Sequence, residues 1–211
     1  MLSNKLSRLR LSENELVGSI PTQMGLLTSL EQLDVATNYL EGTIPRELAS
    51  LTKMLELQLW ENLLTGSIPT SVVTRMTNLW HVYLDNNAFT GRIPSEIGEL
   101  SLLTSLHLYQ NLLVGGIPTE LGLLTTLWEL LLDNNMLTST VPATLADLSL
   151  LTWVDLYDNN LVGDINPIFC NPNNNYETIS IGFPNLEDLQ ADCAIVDGDP
   201  EVICDCCTYC L

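Results

Sequence analysis

Leucines recur along this chain in a fixed apolar and polar pattern, L-x-x-L-x-L-x-x-N, in which x varies. Leu103, Leu106, Leu108 and Asn111 form one copy of it. The alternation in the second half of the pattern is typical of a short β-strand with one face turned inward. One such strand cannot bury its apolar face alone, so the pattern predicts that stacked copies form a parallel sheet over a continuous core.

The asparagine of this pattern recurs seven times, at spacings of 24 residues with a single spacing of 25. The seven positions are Asn14, Asn38, Asn62, Asn87, Asn111, Asn135 and Asn159. The longer spacing indicates one extra residue within residues 71–76. Glycine follows four positions after the asparagine in six of the seven copies, and Ser139 is the exception. Asparagine side chains bond backbone groups at turns, so the repeat predicts a ladder of asparagines along a solenoid.

With the glycine and an isoleucine–proline pair included, the pattern becomes L-x-x-L-x-L-x-x-N-x-L-x-G-x-I-P-x-x-L-G-x-L, which resembles the plant-type leucine-rich repeat family. The resemblance implies an α/β fold, a right-handed solenoid of about seven 24-residue repeats with a parallel sheet on its concave face. It also implies short 3-10 or helical segments on the convex face and a second short sheet after each asparagine. We expect residues 1–166 to form the solenoid and residues 167–211 a C-terminal cap.

All six cysteines lie in the last 42 residues, outside the repeats. They are Cys170, Cys193, Cys204, Cys206, Cys207 and Cys210. Their even number favours a disulfide-bonded cap, with a four-thiolate zinc site as the alternative, and the disulfide pairing stays open. The spacing of Leu186, Leu189 and Ala191 predicts one more, degenerate, strand before most of these cysteines.

The cysteine-rich end has a resemblance of its own. Residues 191–193 and 204–210 are similar to the end cap of algal, diatom-type leucine-rich repeat proteins. Together the two resemblances imply an extracellular or cell-surface protein that passes through the secretory pathway. Residues 1–10 are polar and basic, and Leu2 and Leu6 already belong to a repeat, so we expect any signal or anchor segment to lie upstream.

Charge narrows the choice of partners. The chain has 7 Lys plus Arg and 26 Asp plus Glu, a formal net charge of −19, and residues 93–211 hold 17 acidic and no basic residues. Such a surface repels nucleic acid and anionic membranes, and no apolar run is long enough for direct membrane insertion. Counter-charge is expected from a salty medium, from basic groups of a ligand, or from a larger assembly of which this chain is a subunit.

The strand assignment also predicts which side chains face outward on the concave sheet, namely those six, four, two and one positions before each asparagine. Tyrosine and tryptophan dominate recognition surfaces, and an exposed sheet has no need of them for folding. The candidate ligand-binding residues are Trp60, His81, Tyr83, Asp85, His107, Tyr109, Asp133, Trp153 and Tyr157. The alternative is that the aromatic side chains only pair across strands and stiffen the sheet.

No catalytic, phosphate-binding or dinucleotide-binding motif is present, and no cofactor or metal is expected. His81 should lie beside Glu56 and His107 beside Tyr83, without a third group for a metal or acid–base site. Residues 197–201 could bind Ca²⁺ but fit a solvated turn better, since they lack EF-hand spacing.

We therefore predict a non-catalytic extracellular recognition module that binds a protein, peptide or glycan on its concave sheet. The family resemblance also allows an inhibitor of a secreted hydrolase, such as a pectin-degrading enzyme. A structural or surface-adsorbing protein, binding ice or mineral, is a further alternative, supported by threonines such as Thr65, Thr90 and Thr138 on the second sheet.

Overall fold

The computed structural model describes residues 5–169, 188–191, 195–196, 199–200, 202–204, 207 and 209–210. Its strands are short and recur with the period of the repeat. They are β1 (Arg8–Arg10), β2 (Val17–Ser19), β3 (Gln32–Asp34), β4 (Tyr39–Gly42), β5 (Glu56–Gln58), β6 (Leu63–Gly66), β7 (His81–Tyr83), β8 (Ala88–Gly91), β9 (Ser105–His107), β10 (Leu112–Gly115), β11 (Glu129–Leu131), β12 (Met136–Ser139), β13 (Trp153–Asp155), β14 (Asn160–Leu161), β15 (Gly163–Asp164), β16 (Asp188–Ala191), β17 (Ile195–Val196), β18 (Asp199–Pro200), β19 (Val202–Ile203) and β20 (Tyr209–Cys210).

Two parallel sheets run along the solenoid. The concave sheet has nine strands in the order β1-β3-β5-β7-β9-β11-β13-β16-β20, and the second sheet has seven in the order β14-β12-β10-β8-β6-β4-β2. Each strand pairs with the strand one repeat away, as in the register of Leu57 with Val82 and of Val82 with Leu106. The predicted solenoid with a parallel concave sheet and a second short sheet is therefore confirmed.

Short helices close each coil on the side opposite the concave sheet. Five are 3-10 helices of five residues, Thr22–Leu26, Arg46–Ser50, Ser95–Glu99, Thr119–Leu123 and Ala143–Asp147. Each follows a proline in extended conformation, whose missing N–H costs nothing at a helix start. Two are α-helices, α1 (Thr70–Val73) and α2 (Asn166–Phe169).

Helix α1 marks the repeat that carries the extra residue. Where five of the other repeats have a 3-10 turn of five residues, this coil winds into an α-helical turn. An apolar cavity of about 20 Å³ lies beside it, lined by Val72 and Val73 of α1 and by Ile44, Val82 and Leu106 among others. The extra residue is thus accommodated at the convex side, and the strands on both sides of it stay in register.

The asparagine ladder holds successive coils together. The side chain of Asn111 donates from Nδ2 to the carbonyls of Leu108, in its own coil, and Leu84, in the coil before, each at 3.1 Å. Its Oδ1 accepts the N–H of Phe89, on the second sheet, at 2.9 Å. Asn38, Asn62, Asn87, Asn135 and Asn159 make equivalent bonds. Asn14, in the first coil, bonds carbonyls of its own turn.

The turn around each asparagine needs left-handed backbone at two positions. The residue before the asparagine has φ between 49° and 56° in all seven copies. The residue four positions after it is glycine with φ between 77° and 104° in six copies. In the remaining copy Ser139 takes this conformation, with φ 74°. Glycine adopts it freely, whereas a side chain makes it strained.

The chain beyond the repeats extends the concave sheet. Strand β16 pairs in parallel with β13, and β20 pairs with β16. Cys204 and Cys207 form a disulfide and lie half-buried against the core, so these two are not available as thiolate ligands of zinc. Cys170, Cys193, Cys206 and the side chain of Cys210 lie outside the described residues, and their pairing stays a prediction. The boundary between solenoid and cap at residue 166 likewise stays a prediction.

Candidate functional site

The middle of the concave sheet brings the two histidines into the predicted positions. His81 of β7 lies beside Glu56 of β5, and Tyr83 lies beside His107 of β9. Counting back from the asparagine therefore identifies cross-strand neighbours correctly, because every coil holds its asparagine at the same height.

Five aromatic rings, which we call the aromatic row, follow one another across β7 and β9. Along the row Trp80, His81, Tyr83, His107 and Tyr109 have successive ring-centroid distances of 6.1, 5.5, 4.3 and 6.1 Å. The shortest step, from Tyr83 to His107, joins the two strands, with 25° between the ring planes. Trp80 at the edge of the sheet is 45% exposed, and the other four rings are half-buried. The row thus offers a ligand one continuous aromatic surface.

A polar network that includes Glu129 of β11 holds the His107 ring of the aromatic row in place. Ser105 donates its hydroxyl hydrogen to Glu129 Oε2 at 2.5 Å, and His107 Nε2 lies 2.8 Å from the same oxygen. Burial alone would raise the pKa of the Glu129 carboxyl, but its hydrogen bonds from His107 and Ser105 outweigh burial and lower it. Glu129 is therefore a buried carboxylate that orients the His107 ring against Tyr83.

Aspartates and tyrosines alternate in the next row of the sheet, in the order Asp85, Tyr109, Asp133 and Tyr157. Burial raises the pKa of both aspartates, although amide donors from Asn86 and Asn134, at 3.0 and 2.9 Å, act in the opposite sense. Burial and the neighbouring carboxylates also raise the pKa of the Tyr109 and Tyr157 hydroxyls. Both tyrosines are half-buried, so their hydroxyls stay protonated and able to donate near neutral pH.

The remaining candidates lie apart from the aromatic row. Trp60 is half-buried just after β5. Trp153 of β13 is 42% exposed, and its indole Nε1 donates to Asp155 Oδ2 at 3.0 Å. The nine predicted binding residues thus share one face, and the rings of His81, Tyr83, His107 and Tyr109, together with Trp80, form a continuous row on it.

The expectation of an exposed sheet is wrong for part of this face. Buried side chains on it are Asp85, Ser105, Glu129, Leu131, Asp133 and Asp155. Neighbouring side chains lie close enough to cover them and to bond most of them. Two of the nine candidates, Asp85 and Asp133, are buried and accept hydrogen bonds from the hydroxyls of Tyr109 and Tyr157. Their carboxylates are therefore not exposed on the sheet surface.

Sequence reasoning missed Ser105 and Glu129 as partners of His107. Both occupy the same column as His81, six positions before an asparagine, and they are register neighbours on β9 and β11. The signal was present, because adjacent repeats place that column side by side. Across the described ranges no group of three or more His, Cys, Asp or Glu side chains could hold a metal ion. No helix within those ranges is long and apolar enough to cross a membrane.

Comparison with known proteins identifies the repeat. The family described as Leucine Rich Repeat matches residues 29–51 and 78–100. No curated protein sequence matches the chain.

Solved structures with the same fold include plant receptors. RGFR1, a plant peptide hormone receptor in complex with RGF2, is 40% identical with a TM-score of 0.75, and the match covers 77% of this chain and 26% of that one. The ectodomain of GASSHO1/SCHENGEN3, a receptor kinase from Arabidopsis thaliana in complex with CASPARIAN STRIP INTEGRITY FACTOR 2, is 35% identical with a TM-score of 0.68, covering 77% and 22%. A plant ice-binding protein is 27% identical with a TM-score of 0.62, covering 77% and 59%.

The chain spans about a quarter of the length of the two receptors. Over most of its own length it shares their fold, at an identity of 35% to 40%. Its fold is therefore the leucine-rich repeat solenoid, and its repeats resemble those of the plant receptors.

Proposed function

We propose that this chain is a non-catalytic recognition module that works outside the cell and binds an extended peptide or protein segment on its concave sheet. The observation that carries the proposal is the aromatic row, an aromatic surface that runs across two strands beside acidic side chains. The similar structure of RGFR1, a plant peptide hormone receptor in complex with RGF2, supports a peptide partner.

Charge indicates the kind of peptide. Near the row, Glu56 is half-buried and Glu61 is exposed, whereas the basic residues Arg8 and Arg10 of the sheet lie on β1, three strands away from β7. A ligand over β5 to β13 therefore meets mainly carboxylates, which favour lysine, arginine or a free amino terminus. The aromatic side chains of the row would supply most of the binding free energy, and the carboxylates around them would select basic ligands.

Binding of peptides from a random synthetic library, selected on the full chain, tests this proposal. Replacing Tyr109 or Trp60 by alanine should weaken binding of the selected peptides by about 2 kcal/mol each, roughly 30-fold. Tyr39→Ala is the matched control, because Tyr39 is a tyrosine exposed on the second sheet. If calorimetry finds the same affinity for the unchanged chain and for all three variants, the concave sheet is not the binding surface. If no peptide is selected but a panel of glycans contains one that binds, the ligand is a glycan.

A second candidate function rests on the second sheet. Thr65, Thr90 and Thr138 point outward from β6, β8 and β12, but Val114 of β10 interrupts them. These three threonines, which do not form a regular array, and the likeness to a plant ice-binding protein support adsorption to ice. Thermal hysteresis measured on the full chain tests this, and its absence would reject ice binding.

A further inference from the structure

Two carboxyl groups meet where the last full repeat joins the strand that follows it. In the register of β13 with β16, Asp155 lies beside Gln190 and Asp188 beside Trp153. Asp155 and Asp188 are therefore diagonal neighbours on one face of the sheet, within reach of each other's charge.

Each of these carboxyl groups is satisfied on one side only. Trp153 Nε1 donates to Asp155 Oδ2 at 3.0 Å, and Gln190 Nε2 donates to Asp188 Oδ2 at 3.1 Å. The other two oxygens, both Oδ1, are closed to solvent and have no hydrogen-bond partner among the residues that the structure describes. Asp155 as a whole is only 8% exposed. Two buried acceptors without a donor are unfavourable, and two buried negative charges side by side are more so.

The surroundings add negative charge. From β11 and the turn after it, Glu129 and Asp133 face Asp155, and from β16 Asp188 does. The His107 ring on β9 lies 2.8 Å from Glu129 and is already engaged with that carboxylate. Residues 93–211 contain no lysine or arginine that could serve as a counter-charge. Burial and the neighbouring carboxylates together raise the pKa of Asp155 to about 6, against the hydrogen bond from Trp153.

We propose that Asp155 carries a proton on Oδ1 and donates it to Asp188 Oδ1, and that this hydrogen bond fastens β16 to the repeats under mildly acidic conditions. A proton fits oxygens that are closed to solvent, whereas a metal ion needs more ligands than this pair, and no third joins it in the described part of the chain. When the proton leaves to water, both groups are charged, and their repulsion acts across the β13–β16 pairing.

The direction of the pH effect follows from the pKa. A carboxyl group whose pKa is raised in the folded state binds a proton that the unfolded chain has already released. Docking of β16 is therefore most stable at acidic pH, and it weakens as the pH rises from about 4 through about 6.

Hydrogen exchange on the full chain provides a local readout. The N–H of Leu156 donates to the carbonyl of Gln190 at 2.9 Å, so its protection reports docking of β16. The N–H of Leu108 donates to the carbonyl of Leu131 at 2.9 Å and serves as an internal reference inside the repeats. After correction for the intrinsic exchange rate, protection of Leu156 should fall by about tenfold or more between pH 5 and pH 7.5, while that of Leu108 stays constant.

Asparagine variants separate the effect of the proton on Asp155 from a general effect of pH. Asp188→Asn supplies a permanent N–H donor and removes one charge, so protection of Leu156 should stay high across the range, and Asp155→Asn should do the same. Glu99→Gln removes an equal charge from an exposed position and should behave like the unchanged chain. Constant protection of Leu156 in the unchanged chain, or a pH-dependent fall that persists in both asparagine variants, would overturn the proposal.

Discussion

The two sheets of this solenoid are built from the same repeat, yet they differ in how their outward side chains are surrounded. On the second sheet, Tyr39 and Leu63 are each 57% exposed. On the concave sheet, Asp85 is 2% exposed and Asp133 4%, although no further layer of the described chain covers that face. Polar and aromatic side chains there bond and stack with their neighbours, so a sheet surface can bury its own acids by lateral contacts alone.

The asparagine ladder lies between the two sheets and is hydrogen-bonded to both. Each inner asparagine donates to carbonyls that follow a concave strand and accepts an N–H from the second sheet. The difference between the sheets is therefore best tested first at the ladder, next at the concave face, and last at the second sheet.

Removal of an inner ladder residue should have the largest effect on stability. Asn111→Ala leaves the N–H of Phe89 without its acceptor and removes one of the two asparagine donors from the carbonyls of Leu84 and Leu108, so we expect a loss of about 3 kcal/mol in the free energy of unfolding. Asn14→Ala removes bonds within one exposed turn and should lower it by less than about 1 kcal/mol. Denaturant titrations of the two variants that gave equal losses would contradict the role of the ladder between coils.

A buried acid of the concave sheet should come next. Glu129→Ala deprives the buried Ser105 hydroxyl and His107 of their acceptor, so the free energy of unfolding should fall by about 2 kcal/mol near pH 7. Because the pKa of Glu129 is lowered in the folded protein, its contribution is present above the ordinary glutamate range and is lost as the pH falls below it. The difference between variant and unchanged chain should therefore narrow in acid, as thermal unfolding at several pH values would measure.

The matching substitution on the second sheet is Leu63→Ala. Leu63 is exposed, so this change should alter the free energy of unfolding by no more than about 0.5 kcal/mol. A loss equal to that of Glu129→Ala would mean that the two faces contribute alike.

One further substitution, at a turn of the second sheet, is expected to be stabilising. Ser139 has the left-handed conformation that glycine has in the other repeats, so Ser139→Gly should raise the free energy of unfolding by about 0.5 to 1 kcal/mol. Ser139→Ala keeps the strained backbone and should bring no such gain. Equal stability of the glycine and alanine variants would show that the turn is not strained.

Much of this fold was predictable because its information is periodic. The recurring leucines indicate which positions are buried, and the recurring asparagine gives the register between adjacent coils. The cross-strand pairs His81–Glu56 and Tyr83–His107 are obtained by counting residues back from that asparagine. The diagonal contacts of the aromatic row were not predictable in this way, because they depend on side-chain rotamers that a column count does not specify.

Other features depend on single departures from the period. The extra residue near α1 was visible as a spacing of 25, but its conversion of a 3-10 turn into an α-helical turn was not. Burial of Asp85 and Asp133 needs the tyrosines of the adjacent repeats to fold over them, which composition does not reveal. Strand β20 carries no repeat pattern, so its place at the end of the concave sheet emerges only from the structure.

The direction of the ladder bonds has a mechanical consequence. Every inner asparagine donates a hydrogen bond to a carbonyl of the coil before it, whereas the side chain of Asn14 bonds carbonyls of its own turn. Force applied to the two ends would therefore detach coils singly from an extremity, and each detachment would lengthen the chain by one period while the remaining coils kept all their mutual contacts. We therefore expect this solenoid to unfold coil by coil under force, whereas a globular domain unfolds in a single step.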